Sequence, residues 1–422
     1  MVPREPASPA VPTFYGWRVV AACFVIAAFA WGLGLFGASV YLQAVTSQHG
    51  WNISEVASAI TLMFLVSASV QRTVGRSIDR FGPRPVLSLG AVCMSIGVAL
   101  IGQVWSAWQL YPCFVLIGVG WSTLSTTGIT ATVAPWFERH QGRSMTLAIM
   151  GASVGAILGV PLLLWALAGL GLEHGLAAVG LAAILVLLPL IGLVLRYRGP
   201  ADLGLARDGE MLATAAATAH AAPAPIARRG RPRLLLWSAA AAFALALTVQ
   251  IGFITHHVAL ATPQLGFAGA GLLVSATGAT AFIGRLVLAA IVDKVHVRGL
   301  ACLIMGVQTA ALVAISVWPI PSVLIGGSLV YGSGIGHITT LGPIVVRREF
   351  GPEAFGATYG QAATVIQLVS ALGPALLGVL RDWLGGYGPG LAMAAVLTTA
   401  AAIALLVGGR LGQQPLATAP AV

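Results

Sequence analysis

Charged residues are scarce in this chain. Only 8% of the 422 residues are Asp, Glu, Lys or Arg, whereas 58% are hydrophobic. Soluble domains carry about 25% charged residues, so the composition excludes an ordinary soluble protein. Apolar runs of about 20 residues recur along nearly the whole sequence, and each is long enough to cross a bilayer as a helix. The sequence therefore predicts a polytopic membrane protein.

Paired cysteines and catalytic motifs are also missing from the sequence. Its four cysteines lie in or beside apolar runs without paired spacing, which indicates packing residues rather than disulfides or metal ligands. The sequence has no phosphate-binding loop and no Ser/His/Asp arrangement, and the glycines of 332–336 follow no strand. We expect no enzyme activity, no metal and no cofactor.

Short polar breaks divide the chain into twelve apolar spans. A stretch rich in Ala, Pro and Arg separates six spans from six and predicts a flexible cytoplasmic linker. The predicted parts are an N-terminal tail (1–17), a six-helix bundle (18–196), the linker (197–235), a second six-helix bundle (236–410) and a C-terminal tail (411–422). The spans lie near residues 18–44, 53–74, 85–104, 109–134, 144–170, 175–196, 236–261, 269–291, 299–318, 320–346, 356–380 and 388–410.

Basic residues are concentrated in alternate breaks. If both termini are cytoplasmic, the breaks on the opposite side hold only Arg381. Cytoplasmic loops of membrane proteins carry an excess of Lys and Arg. The pattern thus predicts a multi-pass protein of the bacterial inner membrane with both termini cytoplasmic. It also accounts for the net charge of +10 without a nucleic-acid partner.

The two halves of the chain resemble each other. "GRSIDRFGPR" (75–84) follows the second span and "AAIVDKVHVR" (289–298) follows the eighth. Pro161 lies 82 residues after Asp79, and Pro374 lies 81 residues after Asp293. Matched features at nearly one offset indicate an internal repeat, which is characteristic of secondary transporters.

The break after the second span resembles the signature loop of the major facilitator superfamily. This resemblance implies an all-α membrane protein with twelve transmembrane helices in two pseudo-symmetric six-helix bundles, which rock around a central cavity. It also implies a gating loop between the second and third helices. The matching residues are Gly75, Asp79, Arg80, Gly82 and Arg84.

The second copy of this loop departs from the pattern. It keeps Asp293, Lys294 and Arg298, but Ala289 and His296 stand where glycine is usual. An acid at a helix end can pair with arginines or cap a neighbouring helix and so lock one of two conformations. We expect both copies to act as gating loops, with a weaker lock in the second.

Arg285 is the main candidate for substrate binding. All twelve acids lie in breaks, in tails or at span ends. Arg285 lies eight residues before Asp293, about 12 Å along a helix. An ionisable group at that depth is costly and therefore a functional candidate. Either an anionic substrate completes its charge through a bidentate contact, or Arg285 is structural and bonds the backbone of a neighbouring helix.

Several other polar residues lie within spans. Arg72 is shallower, so its side chain can snorkel to the membrane interface. His337 lies about 15 Å deep and is a candidate for proton coupling or a packing residue. His256 and His257 lie near the end of the seventh span, where an interfacial position is expected. Candidates for lining the substrate cavity are Trp31, Trp121, Tyr331, His337 and Gln367.

Segments at 15–17, 136–155, 284–293 and 349–388 resemble the monocarboxylate transporter and oxalate/formate antiporter branch of that superfamily. The resemblance implies that Arg285 binds the substrate carboxylate, with Trp31 beside it. Proton-coupled members place an aspartate and a lysine where Ala281 and Leu35 stand here. The usual proton and charge carriers are therefore missing, which leaves coupling through another group such as His337, anion exchange or facilitated transport.

We therefore expect a secondary active or facilitative transporter that moves a small organic anion, such as a monocarboxylate, by alternating access. Its expected partners are that anion, a proton or a counter-anion, and the lipid bilayer, and the chain is expected to be monomeric. Nitrate porters are the nearest rival; they carry a matching arginine in both halves, whereas Gln71 occupies the first-half position here. The alternatives are an exporter of lipophilic or neutral solutes and a non-transporting membrane sensor.

Overall fold

The computed structural model describes residues 14–209 and 232–413. Within these residues, ten helices are long and apolar enough to cross a membrane. Two of them, Gln141–Val194 and Pro232–Ile291, contain 54 and 60 residues, more than twice the roughly 20 residues that one crossing requires. Each bends at a glycine with positive φ, Gly171 (73°) and Gly266 (70°), a conformation that glycine adopts without steric cost.

Each bent helix therefore forms two spans, which brings the number of crossings in the described part to twelve. The bends lie in the breaks predicted between spans five and six and between spans seven and eight. The helices are α1 Gly16–His49, α2 Ile53–Phe81, α3 Pro83–Ile101, α4 Ala107–Trp136, α5 141–170, α6 172–194, α7 232–265, α8 267–291, α9 Val297–Val317, α10 Pro321–Phe350, α11 Tyr359–Trp383 and α12 Tyr387–Leu411.

Both halves use the same pattern of helix contacts. The pairs α1–α5, α2–α4, α3–α4 and α3–α6 of the first half correspond to α7–α11, α8–α10, α9–α10 and α9–α12 of the second. Glycines make these contacts close: Gly118 packs on the backbone of Met63, and Gly284 on that of Ser333. Small residues let helices approach in a membrane, where burial against lipid gives little drive for association. The predicted all-α fold of two pseudo-symmetric six-helix bundles is confirmed.

The halves meet along α2–α11 and α5–α8, and the end of α1 (Gly37–His49) also packs on the bent helix Pro232–Ile291. A Cβ atom at Gly378 of α11 would lie 2.9 Å from Cβ of Ala57 on α2. A Cβ atom at Gly278 of α8 would lie 2.7 Å from Cβ of Ala156 on α5. Both contacts therefore need a glycine on one side. The end of the molecule that carries residues 50–52, 102–106 and 384–386 is called the arginine-poor end below, and the opposite end the arginine-rich end.

Arg298 joins four helices of the second half at the arginine-rich end. Its side chain is 4% exposed, and Nε and Nη2 donate to the two carboxylate oxygens of Glu349 on α10. Nη1 donates to the carbonyl of Leu405 on α12 at 2.7 Å, and Nη2 also donates to that of Leu235 on α7 at 2.9 Å. Bidentate, charge-assisted contacts of this kind fix geometry strongly. Arg298 thus anchors the second half internally.

The first copy of the predicted gating loop is a tight connection. α2 ends at Phe81, and Gly82 (φ 86°) leads directly into α3. The carbonyl of Phe81 accepts a hydrogen bond from Nη2 of Arg198 at 3.1 Å. Asp79 is exposed, and the ion pairs among the described side chains do not include it. The side chain of Asp293 lies outside the described residues, so the gating role of both copies stays a prediction.

The start of the predicted linker folds against the first half. Asp208, at φ 61°, accepts hydrogen bonds from the backbone N–H groups of Glu138, Arg139 and His140 at 2.9, 2.8 and 3.3 Å. Burial raises the pKa of the Asp208 carboxyl, but these hydrogen bonds outweigh burial and hold the pKa below its usual value. The carboxylate therefore ties the linker to the segment that precedes α5.

We predict that the Arg298–Glu349 pair stabilises the second half. Glu349→Gln leaves a buried cation without its counter-charge, which costs about 3 to 5 kcal/mol. Glu138→Gln is the control, because its contact with Arg207 is long (3.8 Å) and both side chains are exposed, and such surface pairs contribute at most about 1 kcal/mol. Thermal unfolding in detergent compares the two. Equal melting temperatures for both variants would show that Arg298 does not need the carboxylate.

Candidate functional site

Arg285 lies at the junction between the two halves. It projects from α8 between helices of both bundles, and its side chain packs over Gly336 of α10, where any larger residue would collide with it. Its Nη1 donates a hydrogen bond to Oγ of Ser153 on α5 at 3.1 Å. Ser153 is 5% exposed. The two residues therefore form a polar contact between the halves in the middle of the membrane spans.

The ion pairs among the described side chains do not include Arg285. Its hydrogen bond to Ser153 uses one of five N–H donors of the guanidinium. A permanently charged fork with free donors, in a region of low dielectric, favours an oxyanion that can accept two hydrogen bonds at once. The arrangement is therefore suited to hold a carboxylate or a similar anion.

π-helical segments interrupt α1 and α5 close to this contact. They span Trp31–Leu35 and Gly155–Gly159, and they pack on each other, because a Cβ atom at Gly32 would lie 3.3 Å from the carbonyl oxygen of Gly155. Ser153 lies two residues before the second segment. Single π turns inside α-helices are frequent at functional sites, where they redirect side chains. The sequence shows these segments only as clusters of glycine.

Trp31 and Trp121 form an aromatic cluster in the first half. Their ring centroids lie 4.9 Å apart in an edge-to-face arrangement, and Phe64 adds a third ring 6.2 Å from that of Trp121. Trp121 packs over Gly34, which leaves room for its ring. The structure thus brings two of the predicted lining residues together, although neither ring is in cation–π contact with Arg285.

His337 lies beside the Arg285 segment. It is 7% exposed on α10, and a Cβ atom at Gly284 would lie 2.9 Å from its Cε1 atom. Its buried Nδ1 atom has no hydrogen bond of normal geometry to the described residues. The predicted pair of Arg285 and His337 therefore lies on two neighbouring helices that approach each other through Gly284 and Gly336.

Two further predicted residues lie apart from this pair. Tyr331 is 1% exposed, and its ring packs on Phe253 with centroids 4.3 Å apart, inside the second half. Gln367 is half-buried on α11, and the described hydrogen bonds do not involve its side-chain amide. The structure therefore brings together Arg285 with His337 and Trp31 with Trp121, but records no hydrogen bond or ring contact between the side chains of these groups and those of Tyr331 or Gln367.

His256 and His257 are buried between helices of the second half, and their expected depth at the membrane interface stays a prediction. They are 1% and 2% exposed. Nε2 of His256 lies 2.9 Å from the carbonyl of Pro374, which can only accept, so this nitrogen carries the hydrogen. Nδ1 lies 3.0 Å from the hydroxyl of Tyr387 and can then accept from it. His257 contacts Oγ of Ser328 at 3.0 Å. Both imidazoles join helices of the second half.

Ser153 was not predicted from the sequence. Serine is a common small residue at helix contacts in membranes, and it lies among glycines and alanines in "GASVGAILG" (151–159). A search for ionisable groups therefore passes over it. Its position becomes evident only when α5 and α8 are placed side by side.

Comparison with known proteins supports this architecture. The sequence model of the Major Facilitator Superfamily matches residues 20–374. Monocarboxylate transporter 13 of Rattus norvegicus is 25% identical over 388 residues, 88% of this chain and 84% of that protein. The oxalate:formate antiporter of Oxalobacter formigenes is 27% identical over 161 residues, 38% of each protein. The multidrug resistance protein MdtH of Shigella dysenteriae is 30% identical over 120 residues, 28% of this chain and 30% of that protein.

Solved structures agree on the fold. A bacterial homologue of the human lysosomal transporter Spinster, crystallised in an inward-facing and occupied conformation, superposes with a TM-score of 0.70 at 15% identity, covering 97% of this chain and 100% of that one. At this identity the likeness concerns the fold alone. Twelve helices, two repeated halves and a sequence match across most of the chain lead to one conclusion: the protein belongs to the Major Facilitator Superfamily of membrane transporters.

Proposed function

We propose that this transporter carries a small organic anion and that Arg285 binds its charged group. The observation that carries the proposal is the position of Arg285: a buried cation between the two halves, without an ion pair to any described carboxylate. Burying an unpaired charge is costly, and an anionic substrate would remove this cost. Binding energy then comes from the ion pair between the substrate and Arg285, which no described carboxylate neutralises.

Ser153 fits into the same role from the opposite half. Its oxygen accepts a hydrogen bond from Arg285, which leaves its own hydroxyl hydrogen available. An anion held by the guanidinium could accept that hydrogen and so contact both halves at once. Alternating access requires a site that either side of the membrane can reach when the halves rock. A substrate held by one residue of each half meets this requirement.

A monocarboxylate is the substrate class that we favour. The names of two relatives, monocarboxylate transporter 13 and oxalate:formate antiporter, refer to carboxylates. The indole rings of Trp31 and Trp121 offer an apolar surface in the first half for the hydrocarbon part of such a molecule. Pockets that combine a few polar groups with apolar walls are typical of small-molecule sites.

We further propose that the arginine-rich end faces the cytoplasm of a bacterial cell, because positively charged loops are retained on that side. Both termini would then be cytoplasmic.

His337 is our candidate for proton coupling. When His337 takes up a proton, it becomes a second cation beside Arg285, and the two cations repel each other. An anion on Arg285 offsets this repulsion, so an anion and a proton would favour each other's binding. Without a proton, the same site would exchange anions.

A second candidate is an exporter of neutral or lipophilic solutes. It is favoured by the similarity to the multidrug resistance protein MdtH and by the hydrogen bond to Ser153, which gives Arg285 a structural role between the halves. In that case the arginine stabilises one conformation and does not touch the substrate. Substitutions of Arg285 separate the two candidates.

We expect Arg285→Gln to reduce uptake of labelled lactate, formate or oxalate into proteoliposomes by about 10- to 100-fold. A hydrogen bond to a charged group contributes about 1.5 to 3 kcal/mol, which corresponds to that range. Arg285→Lys keeps the charge but loses the fork, so an intermediate rate is expected. Arg72→Gln is the matched control, because Arg72 is an exposed arginine on α2.

Correct insertion of each variant is checked by gel filtration and thermal unfolding. Unchanged uptake of all three acids by well-folded Arg285→Gln would exclude the anion site and favour the second candidate. Ser153→Ala should reduce uptake by a smaller factor, about three- to tenfold, because it removes one neutral hydrogen-bonding group.

Proton coupling through His337 predicts that an imposed pH gradient, acidic on the side of the substrate, accelerates uptake. His337→Asn cannot titrate, so it should lose this acceleration while still exchanging labelled against unlabelled anion. His174→Gln is the control, because His174 is exposed at the arginine-poor end. If the pH gradient does not change uptake by the unaltered protein, proton coupling is excluded. If the gradient still accelerates uptake by His337→Asn, another group carries the proton.

A further inference from the structure

Three hydrogen bonds between described residues join the two halves. One is the Arg285–Ser153 contact in the middle. Another runs from the backbone N–H of Ala375 on α11 to Oγ1 of Thr61 on α2 at 3.0 Å. The third lies at the arginine-poor end, where Oδ2 of Asp382 accepts the backbone N–H of Ser54 at 2.8 Å. This last contact has an unusual feature.

Ser54 lies in the first turn of α2, whose backbone N–H groups have no partner within the helix. The helix starts with "NISE" (52–55), which has the spacing of a capping box: a cap residue at Asn52 and Glu55 three positions later. Asparagine is among the best N-cap residues, and its side-chain oxygen normally accepts the N–H of the second or third residue after it. The second residue here is Ser54.

Asn52 does not use this ability in the structure. Its backbone has the extended conformation of an N-cap (φ −63°, ψ 142°), but its side chain makes no capping hydrogen bond and is exposed. The N–H of Ser54 is instead taken by Asp382, a residue of the other half. Helix α2 therefore has a cap residue of its own, Asn52, but its N-terminus is capped by Asp382 of the other half.

Asp382 is held in place for this contact. Its other oxygen, Oδ1, accepts a hydrogen bond from Nη1 of Arg381 at 2.8 Å, so Oδ2 is left for Ser54. One turn earlier on α11, Gly378 packs closely on Ala57 of α2 and brings the two helices together. A carboxylate at a helix N-terminus also interacts favourably with the helix dipole.

We propose that Asp382 and Asn52 are alternative caps of α2 that exchange during transport. With the arginine-poor end closed, Asp382 caps α2 from the opposite half. When the halves separate at this end, Asp382 must leave, and Asn52 takes over the N–H of Ser54. The exchange keeps the helix end satisfied in both conformations, so opening does not leave a bare N–H group. Asp382 is thus a positioning residue of the conformational cycle, whatever the substrate.

The related interface between α5 and α8 has no such contact among its described residues. There, Leu164 packs on Gly271 and Ala156 on Gly278, both apolar pairs. At the repeat offset of 213 residues that relates Pro374 to Pro161, the counterpart of Asp382 is Gly169. The proposed cap exchange therefore belongs to the α2–α11 interface and has no counterpart among the described residues of the α5–α8 interface.

The test measures the conformational equilibrium directly. Spin labels at Trp105→Cys and Ile320→Cys, exposed positions on opposite halves at the arginine-poor end, report its opening by double electron–electron resonance in a variant without native cysteines. Asp382→Ala should raise the ratio of open to closed molecules about fivefold, the effect of losing one helix cap. Asn52→Ala should lower this ratio by a similar factor, because only the open form loses its cap.

Three further variants sharpen the result. Asp382→Asn keeps an acceptor oxygen and should give a smaller shift than Asp382→Ala. The double variant, without either cap, should return towards the original ratio. Ser58→Ala, which removes a hydroxyl of α2 that faces Tyr111 of its own half, should cause no shift.

Asn52→Ala carries the test even if Asp382→Ala fails to fold, because the side chain of Asn52 makes no described hydrogen bond in the closed form. An unchanged ratio in Asn52→Ala, or a shift in the same direction as Asp382→Ala, overturns the proposal. These distances are measured without substrate, so a failure here does not affect the anion site, and a failure of the anion site leaves the cap exchange standing.

Discussion

A guanidinium in the interior of a membrane protein must find partners, because moving an isolated charge out of water costs several kcal/mol of free energy. Arg285 meets this constraint only in part, through one hydrogen bond to Ser153. The surrounding packing follows from it: Gly336 makes room for the side chain, and Gly284 lets α8 approach α10 beside His337. The hydrogen-bonding capacity that Ser153 leaves unused is the reason why we propose an anion site at this junction.

Glycine determines how the rest of the protein fits around that junction. In the N-terminal half, the π-helical segments of α1 and α5 pack through Gly32 and Gly155. Between the halves, Gly278 lies in the α5–α8 interface and Gly378 in the α2–α11 interface. Contacts of this kind depend on close van der Waals packing and contain few polar groups. They can therefore be made and broken as surfaces slide or tilt, without leaving buried polar atoms unpaired.

Much of the architecture could be predicted from the sequence, because insertion into a membrane requires long apolar segments and a particular distribution of charged residues between them. The twelve spans, the repeat and the depth of Arg285 all follow from where apolar runs stop. Ser153 could not be predicted, since a hydroxyl shows no signal among small residues. The burial of His256 also escaped prediction, because its partners Pro374 and Tyr387 lie more than 100 residues away and depend on how α7 packs against α11 and α12.

The strengths of the polar contacts explain how such a molecule can rock. Within the second half, Arg298 ties four helices to each other through a buried ion pair and two carbonyls. Between the halves there are three hydrogen bonds among described residues, each contributing about 0.5 to 1.5 kcal/mol, or up to about 3 where a charge takes part. Their sum is comparable to the roughly 5.5 kcal/mol by which a ligand must favour one state to reverse a 1:99 equilibrium. One of the three is the contact to Arg285 itself. Under our proposal, an anion on Arg285 that also accepts the hydroxyl hydrogen of Ser153 adds to the contacts that hold the halves together, so binding and conformational change would involve the same group of atoms.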